Sequence, residues 1–259
     1  MSLSKTNKTD KIYRAGLGLP FHCMINTELL IRGALALGVE PGPRETDLFV
    51  RLAEALISAN KRFNLTAITD EDRIVTEHFL DSLTVLLAAD PRGKRILDVG
   101  TGGGFPGLPV AIVCPEARCV LMDATLKKIR YINMTCEALG LVNVTGIAAR
   151  AEEAGRLPEY REAFDIVYAR AVSDMRILCE LTLPFVKVGG LFVAQKSAGA
   201  EEEIGKARKQ TEKLGGRVKD VLRLDIPGTS IPRLLVITEK ERPTPREFPR
   251  DYARIKKQK

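Results

Sequence analysis

Residues 97–112, LDVGTGGGFPGLPVAI, gather the residue types that could hold a small molecule. An apolar run closes on Asp98, then Gly100, Gly102, Gly103 and Gly104 follow, and Pro106 opens a second apolar run. Glycine is needed where the backbone turns with positive φ or comes close to a ligand. Proline suits the first turn of a helix. A strand, turn and helix of this kind bind ligands outside the carboxyl end of the strand. Two ligands compete for the turn. Residues 102–107 match G-x-G-x-x-G, the dinucleotide pattern. Residues 98–104 also read acidic-x-Gly-x-Gly-x-Gly, the turn of S-adenosylmethionine sites. A pyrophosphate wants helix N-terminal amides with no carboxylate beside them. S-adenosylmethionine has no phosphate and carries an ammonium group that Asp98 could neutralise. Asp123 ends the next strand, where a carboxylate can accept both ribose hydroxyls of either ligand.

Other chemistries find less support. G-x-S-x-G, a Walker loop and H-E-x-x-H are all absent. His78 and Asp81 lie three apart on one helical face, but a His–Asp pair without a nucleophile reads as a structural hydrogen bond. Cys179 sits in an apolar helical segment and reads as core. The five cysteines are scattered with no C-x-x-C, which fits reduced thiols in the cytoplasm. With two histidines in the chain, no metal site is expected.

The elements that must position the turn can be read from periodicity. Residues 27–92 read as helices. NTELLIRGALALGV starts at an Asn26 or Thr27 cap. ETDLFVRLAEALISANKRFN repeats apolar residues at Leu48, Leu52, Ala55, Leu56 and Ala59. DEDRIVTEHFLDSLTVLLAA sets Ile74, His78, Asp81 and Val85 on one face. This region is too small for a core of its own and should pack on the remainder of the chain. Residues 93–240 alternate strands (RILDVG, CVLMDA, NVTGIAA, FDIVYARA, LFVAQKS) with helices, which demands a parallel sheet with right-handed crossovers. RVKDVLRLDIP and RLLVITEK then come with no helix between them, and must pair as an antiparallel hairpin. A dehydrogenase domain would keep a sixth parallel strand, so the hairpin and Asp98 together favour the methyl donor. The expected class is α/β, a Rossmann-like class I methyltransferase. Its seven-stranded, mostly parallel sheet ends in the hairpin and carries N-terminal helices. An NAD(P)-dependent oxidoreductase on a related sheet is the alternative.

Residues 1–26 read as an irregular extension, and 241–259 as a basic tail whose prolines forbid regular structure. That tail is either a solvated end or an arm on a phosphate backbone. The net charge of +7 favours an anionic partner such as nucleic acid. Aromatic content of 5% with no tryptophan argues against a single-strand stacking platform. No apolar run approaches the roughly 20 residues that span a bilayer, and the N-terminus lacks a secretory pattern. No membrane partner and a cytoplasmic location are therefore expected.

Several segments in order sharpen this reading: NKRFNLTAI (60–68), HFLDSL (78–83), LDVGTGGGFPGLPVAI (97–112), LMDATLKKIRYI (121–132), ARAEE (149–153), ARAV (169–172) and AQKS (194–197). Together they resemble the bacterial 16S rRNA guanine-N7-methyltransferases, the glucose-inhibited division protein B family, over roughly 27–259. The resemblance implies methylation of one guanine N7 in 16S rRNA of the small ribosomal subunit, with S-adenosylmethionine as cofactor and a monomeric enzyme. It implies that Gly100, Gly102 and Phe105 line the cofactor turn, Asp123 binds the ribose, and Ala151 and Glu152 hold the adenine. Arg170 would lie beside the methyl donor and the target base, as both a cofactor-binding and a catalytic residue. Asn64, His78, Asp81 and Lys196 would lie on the RNA-facing side. Where the family often has Leu-Lys-Gly, this chain has Gln195-Lys196-Ser197.

Overall fold

The structure is a computed structural model and describes residues 25–170 and 173–257. The irregular reading of the N-terminal extension falls on residues 1–24, outside the described residues, as do Cys23 and the last two positions of ARAV.

Helix α1 (Thr27–Ala36) starts where the Asn26 side chain accepts a hydrogen bond from the Leu29 amide at 3.0 Å. Helix α2 (Pro43–Phe63) has proline in its first turn and ends at Asn64, whose φ of 49° stops the helix in the left-handed region. The third helical stretch departs from the regular helix expected of its spacing. After one turn (Glu71–Arg73), Ile74–Leu80 is wound as a π-helix, followed by Asp81–Leu83 and a 3₁₀ turn at Thr84–Leu87. We call this composite α3 (71–87). The wider winding changes which side chains share a face, and π-helical segments occur often at functional sites.

The sheet has the order β3-β2-β1-β4-β5-β7-β6. Its strands are β1 (Arg95–Val99), β2 (Arg118–Asp123), β3 (Val144–Ala148), β4 (Phe164–Arg170), β5 (Val186–Ser197), β6 (Gly216–Asp225) and β7 (Pro232–Lys240). Strands β1 to β5 are parallel. Strand β7 runs antiparallel and slots between β5 and β6, a placement the sequence pattern leaves open. The intervening helices are α4 (Gly107–Val113), α5 (Leu126–Leu139), α6 (Ala151–Ala154), α7 (Met175–Thr182) and α8 (Glu201–Lys213).

Alternation along the strands divides the core into two layers. Ile96, Ile166 and Tyr168 face α1 to α5, while Leu97, Val99, Val167 and Ala169 face α7, α8 and the C-terminal segment. Leu30, Phe49, Leu56, Phe79 and Leu83 from α1 to α3 join the first layer, so the N-terminal helices share the sheet's core as expected. Each such side chain, fully buried, contributes roughly 1.5–3 kcal/mol.

The tail departs from the expectation of an irregular, solvated end. Its prolines stop at Pro249, which leaves the chain beyond free to wind into α9 (Tyr252–Lys256). Phe248 and Ile255 are buried. Arg161 donates to the carbonyls of Thr244 and Phe248 at 2.7 and 2.8 Å, and Arg250 pairs with the buried Glu180.

Candidate functional site

The sheet order reverses between β1 and β4, and the crevice beyond their carboxyl ends is where such sheets place ligands. Asp98 pairs in register with Tyr168, so the turn after β1 and Arg170 at the end of β4 flank one opening.

The turn is built from backbone. Gly100, Gly102 and Gly104 have φ of 72°, 60° and 96°. The amides of Gly100 and Thr101 donate to the Met122 carbonyl at 2.8 and 3.0 Å, which ties the turn to β2. Asp98 lies beneath it, fully enclosed. Its Oδ2 accepts from Thr101 Oγ1 at 2.7 Å and from the Gly107 amide at 2.9 Å, while Oδ1 is buried with no hydrogen-bond partner. Burial pushes this carboxyl up to about 6, against the pull of those two hydrogen bonds and of Arg170. A buried carboxylate oxygen with no partner is ready for a cationic group. The same contact disfavours the dinucleotide alternative, because the Gly107 amide at the start of α4 donates to a carboxylate where a pyrophosphate would need donors and no negative charge.

At the end of β2, Asp123 accepts from the Thr125 amide at 2.8 Å and the Gly102 amide at 3.1 Å, and pairs with Lys128 at 3.3 Å. The carboxylate is thus fixed at the lip of the turn. The Ala149 amide donates to the Asp123 carbonyl at 3.2 Å, so α6, with Ala151 and Glu152, begins beside that lip. These residues form one flank of the crevice, the glycine flank.

The opposite flank is made of charged side chains from distant segments. Arg170, 15% exposed, donates through Nη1 to the Glu77 carbonyl and to Asp81 Oδ2, each at 3.0 Å. Asp81, 1% exposed, also takes Arg233 Nε at 3.0 Å. Arg170 Nη2 lies 3.3 Å from His78 Nδ1, and His78 Nε2 lies 2.8 Å from Thr66 Oγ1. Because a guanidinium only donates, Nδ1 must carry the lone pair and Nε2 the proton, which Thr66 accepts. Burial, with the positive charges of Arg170 and Arg73, lowers His78 to about 3, so the ring stays neutral. Phe105 joins the flanks: its ring stacks on His78 at 4.5 Å between centroids, and the Arg170 guanidinium lies 5.3 Å from it.

The structure therefore brings together Asp98, Gly100, Gly102 and Asp123 on one side, and Phe105, His78, Asp81 and Arg170 on the other. It encloses His78 and Asp81, whose polar atoms are engaged by protein, instead of presenting them on a surface. Lys196 is turned to the Ser173 carbonyl at 2.7 Å and Glu203 at 2.6 Å, outside this network. Asn64 is exposed at the end of α2. Its loop is held where Asn60 exchanges two 2.9 Å hydrogen bonds with the Thr66 backbone. Sequence reasoning misses Arg233, Thr66 and Gln195. Gln195 donates to the Asp81 carbonyl at 2.6 Å and to Thr84 at 3.1 Å. Thr66 and Gln195 lie inside quoted motifs without a role to mark them, Arg233 lies outside every motif, and only the folded chain brings the three together.

A seven-stranded sheet with one reversed strand, a glycine turn over a buried carboxylate, and an acidic residue closing β2 define a class I S-adenosylmethionine-dependent methyltransferase. M. jannaschii TYW2 in complex with AdoMet shares this fold: 16% identity, TM-score 0.51, covering 67% of this chain and 79% of that one. The family model for rRNA small subunit methyltransferase G matches residues 45–230. The chain is 41% identical over 223 residues to Ribosomal RNA small subunit methyltransferase G of Acetivibrio thermocellus, covering 86% of this chain and 92% of that protein. It is 45% identical over 224 residues to the protein of the same name from Deinococcus radiodurans, covering 86% and 88%. The chain belongs to the rRNA small subunit methyltransferase G family and is an S-adenosylmethionine-dependent enzyme. Among the described residues no helix is long and apolar enough to cross a membrane, and no group of three or more His, Cys, Asp or Glu could hold a metal ion.

Proposed function

We propose that the chain methylates N7 of one guanine in 16S rRNA of the small ribosomal subunit, by direct in-line transfer without a general base. S-adenosylmethionine supplies an electrophilic methyl group. Asp98 Oδ1 meets the donor's ammonium, Asp123 the ribose, and Ala151 and Glu152 the adenine. The glycine turn lets backbone approach without side chains, and Phe105 supports it from beneath.

Guanine N7 carries an in-plane lone pair and no proton, so nothing has to be deprotonated. The nearby groups agree: His78 is neutral with both ring nitrogens engaged, and Asp98 is committed to the glycine turn, on the side of the crevice away from His78 and Arg170. What remains for the protein is alignment of methyl and N7 at near-attack distance, on a base splayed from its stack. Arg170 carries this reading. Of its five N–H groups, two on Nη1 and one on Nη2 are engaged. Nε–H and the second Nη2–H have no partner among the described residues. They suit guanine O6, an arginine–guanine contact that leaves N7 free to attack. His78 and Asp81 act through Arg170 as positioning residues, and Asn64 and Lys196 lie toward the RNA.

The test is methylation of unmodified small subunits with labelled S-adenosylmethionine, followed by nucleoside mapping. The expected product is 7-methylguanosine at one position of 16S rRNA. Arg170→Lys, which keeps the charge and loses the fork, should lower methylation about 100-fold while cofactor affinity changes little. Label at another atom, or full activity in Arg170→Lys, overturns the assignment.

A further inference from the structure

The family match ends at residue 230, so the C-terminal segment lies outside the matched span, yet it is bound closely to the part of the molecule that meets the cofactor. Ile255 of α9, 1% exposed, forms an apolar cluster with Ile177 and Leu181 of α7, and Ala151 packs against that cluster. Upstream, the amide and Nε of Arg250 both donate to Glu180 Oε1 at 2.8 Å, and Glu180 is fully buried on α7. The chain just after α6 holds the segment from the other side, with Arg156 Nε donating to the Pro249 carbonyl at 2.9 Å. Pro249 rests so closely on Gly155 that a Cβ there would lie 3.2 Å from its ring.

Helix α6 has only four residues and no side-chain cap. Such a helix has little stability of its own and depends on tertiary packing. The segment supplies packing on two sides of it. Its anchoring cation, Arg250, is already paired with a buried carboxylate and is not free for a phosphate.

We propose that residues 241–257 are a wall of the cofactor site: Ile255 and Arg250 hold the start of α6 in the position that receives the adenine. This rests on the reading of Ala151 and Glu152 as the adenine contact. The segment is a positioning device, and it acts on cofactor affinity, not on RNA.

The test is calorimetric titration of S-adenosylmethionine into the full chain, Ile255→Ala, Ile255→Leu and a chain stopped after Asp251, with methylation kinetics on small subunits. Losing the wall lowers the population of the adenine-ready site. Kd is therefore expected to rise about fivefold in Ile255→Ala and in the shortened chain, with Ile255→Leu restoring it. The kcat at saturating cofactor and the KM for small subunits should not change. Unchanged Kd with a raised KM for small subunits would overturn the proposal and make the segment an RNA arm. A parallel loss of kcat and both affinities would overturn it as well, showing general destabilisation. Ala151→Phe separates the two layers of the argument. If it weakens the cofactor and Ile255→Ala does not, the wall fails alone. If it leaves Kd unchanged, the adenine placement fails and takes the wall with it.

Discussion

The two flanks of the crevice between β1 and β4 are made differently. The glycine flank is mostly backbone: glycines at positive φ, amides folded onto Asp98 and Asp123, a turn tied to β2. The opposite flank is mostly side chain: Asp81 between Arg170 and Arg233, with His78 and Thr66 behind. The glycine flank draws on one continuous stretch, its neighbouring strand and the start of α6. The other gathers residues from α3, β4, β7 and the loop after α2. The lesson is that one wall of the crevice is set by local backbone geometry, whereas the other is set by a side-chain network that needs segments far apart in the chain to meet.

Asp81→Ala should separate the flanks most strongly. It leaves two guanidiniums, largely buried, without their shared carboxylate, which costs about 3–5 kcal/mol. Chemical denaturation should show that loss. Methylation should fall by at least about 100-fold as Arg170 loses its seat, while cofactor affinity in the folded fraction stays near that of the unmodified chain. A matching fall in cofactor affinity would mean that the flanks act as one unit.

The glycine flank is tested by neighbouring glycines. Gly104 has φ of 96°, and a Cβ there would lie 2.3 Å from Leu108 Cδ1. Gly103 lies outside the positive-φ region, and its Cβ would meet only the Phe105 ring edge, at 3.2 Å, and Leu56. Gly104→Ala should cost about 1–3 kcal/mol through strain and raise the Kd for S-adenosylmethionine. Gly103→Ala, free of that backbone strain, should cost less than Gly104→Ala and leave affinity nearly intact. Equal effects in denaturation and calorimetry would show that bulk at the turn matters more than backbone conformation.

The same contrast explains how much of the molecule is legible in its sequence. The parallel strands, the terminal hairpin, the glycine turn with Asp98, and Asp123 at the end of β2 are legible because each depends on local period or spacing, whereas the strand order is not. Arg170 is reached through a motif resemblance, and its partners only in part. His78 and Asp81 stand out as a pair. Their enclosure agrees with the face they share with Ile74 and Val85, all four buried, whereas the π-helical winding of Ile74–Leu80 and the meeting with Arg170 leave no mark in the spacing. Arg233 is invisible because its meeting with Asp81 depends on β7 inserting beside β5, where it pairs with Ser197. The tail misleads because proline content describes local conformation and says nothing of Phe248, Arg250 and Ile255 finding sites on the domain.

A smaller effect tests the side-chain flank by pH. His78 is lowered to about 3 in the folded protein, first by burial and then by Arg170 and Arg73. The unfolded chain takes up a proton near the ordinary value of about 6.5. Between those values the unfolded state binds more protons than the folded one. The contribution of neutral His78 is therefore complete above about pH 6.5 and is lost steadily as pH falls toward 3. His78→Gln can still accept from Arg170 and donate to Thr66, so at pH 7 it should cost no more than about 1 kcal/mol. Denaturation midpoints of the two proteins should then converge and cross as pH falls below 6.5, since glutamine has no proton to gain. Parallel curves would mean that His78 titrates normally, that Nδ1 does not accept from Arg170, and that the guanidinium is held by Asp81 and the Glu77 carbonyl alone.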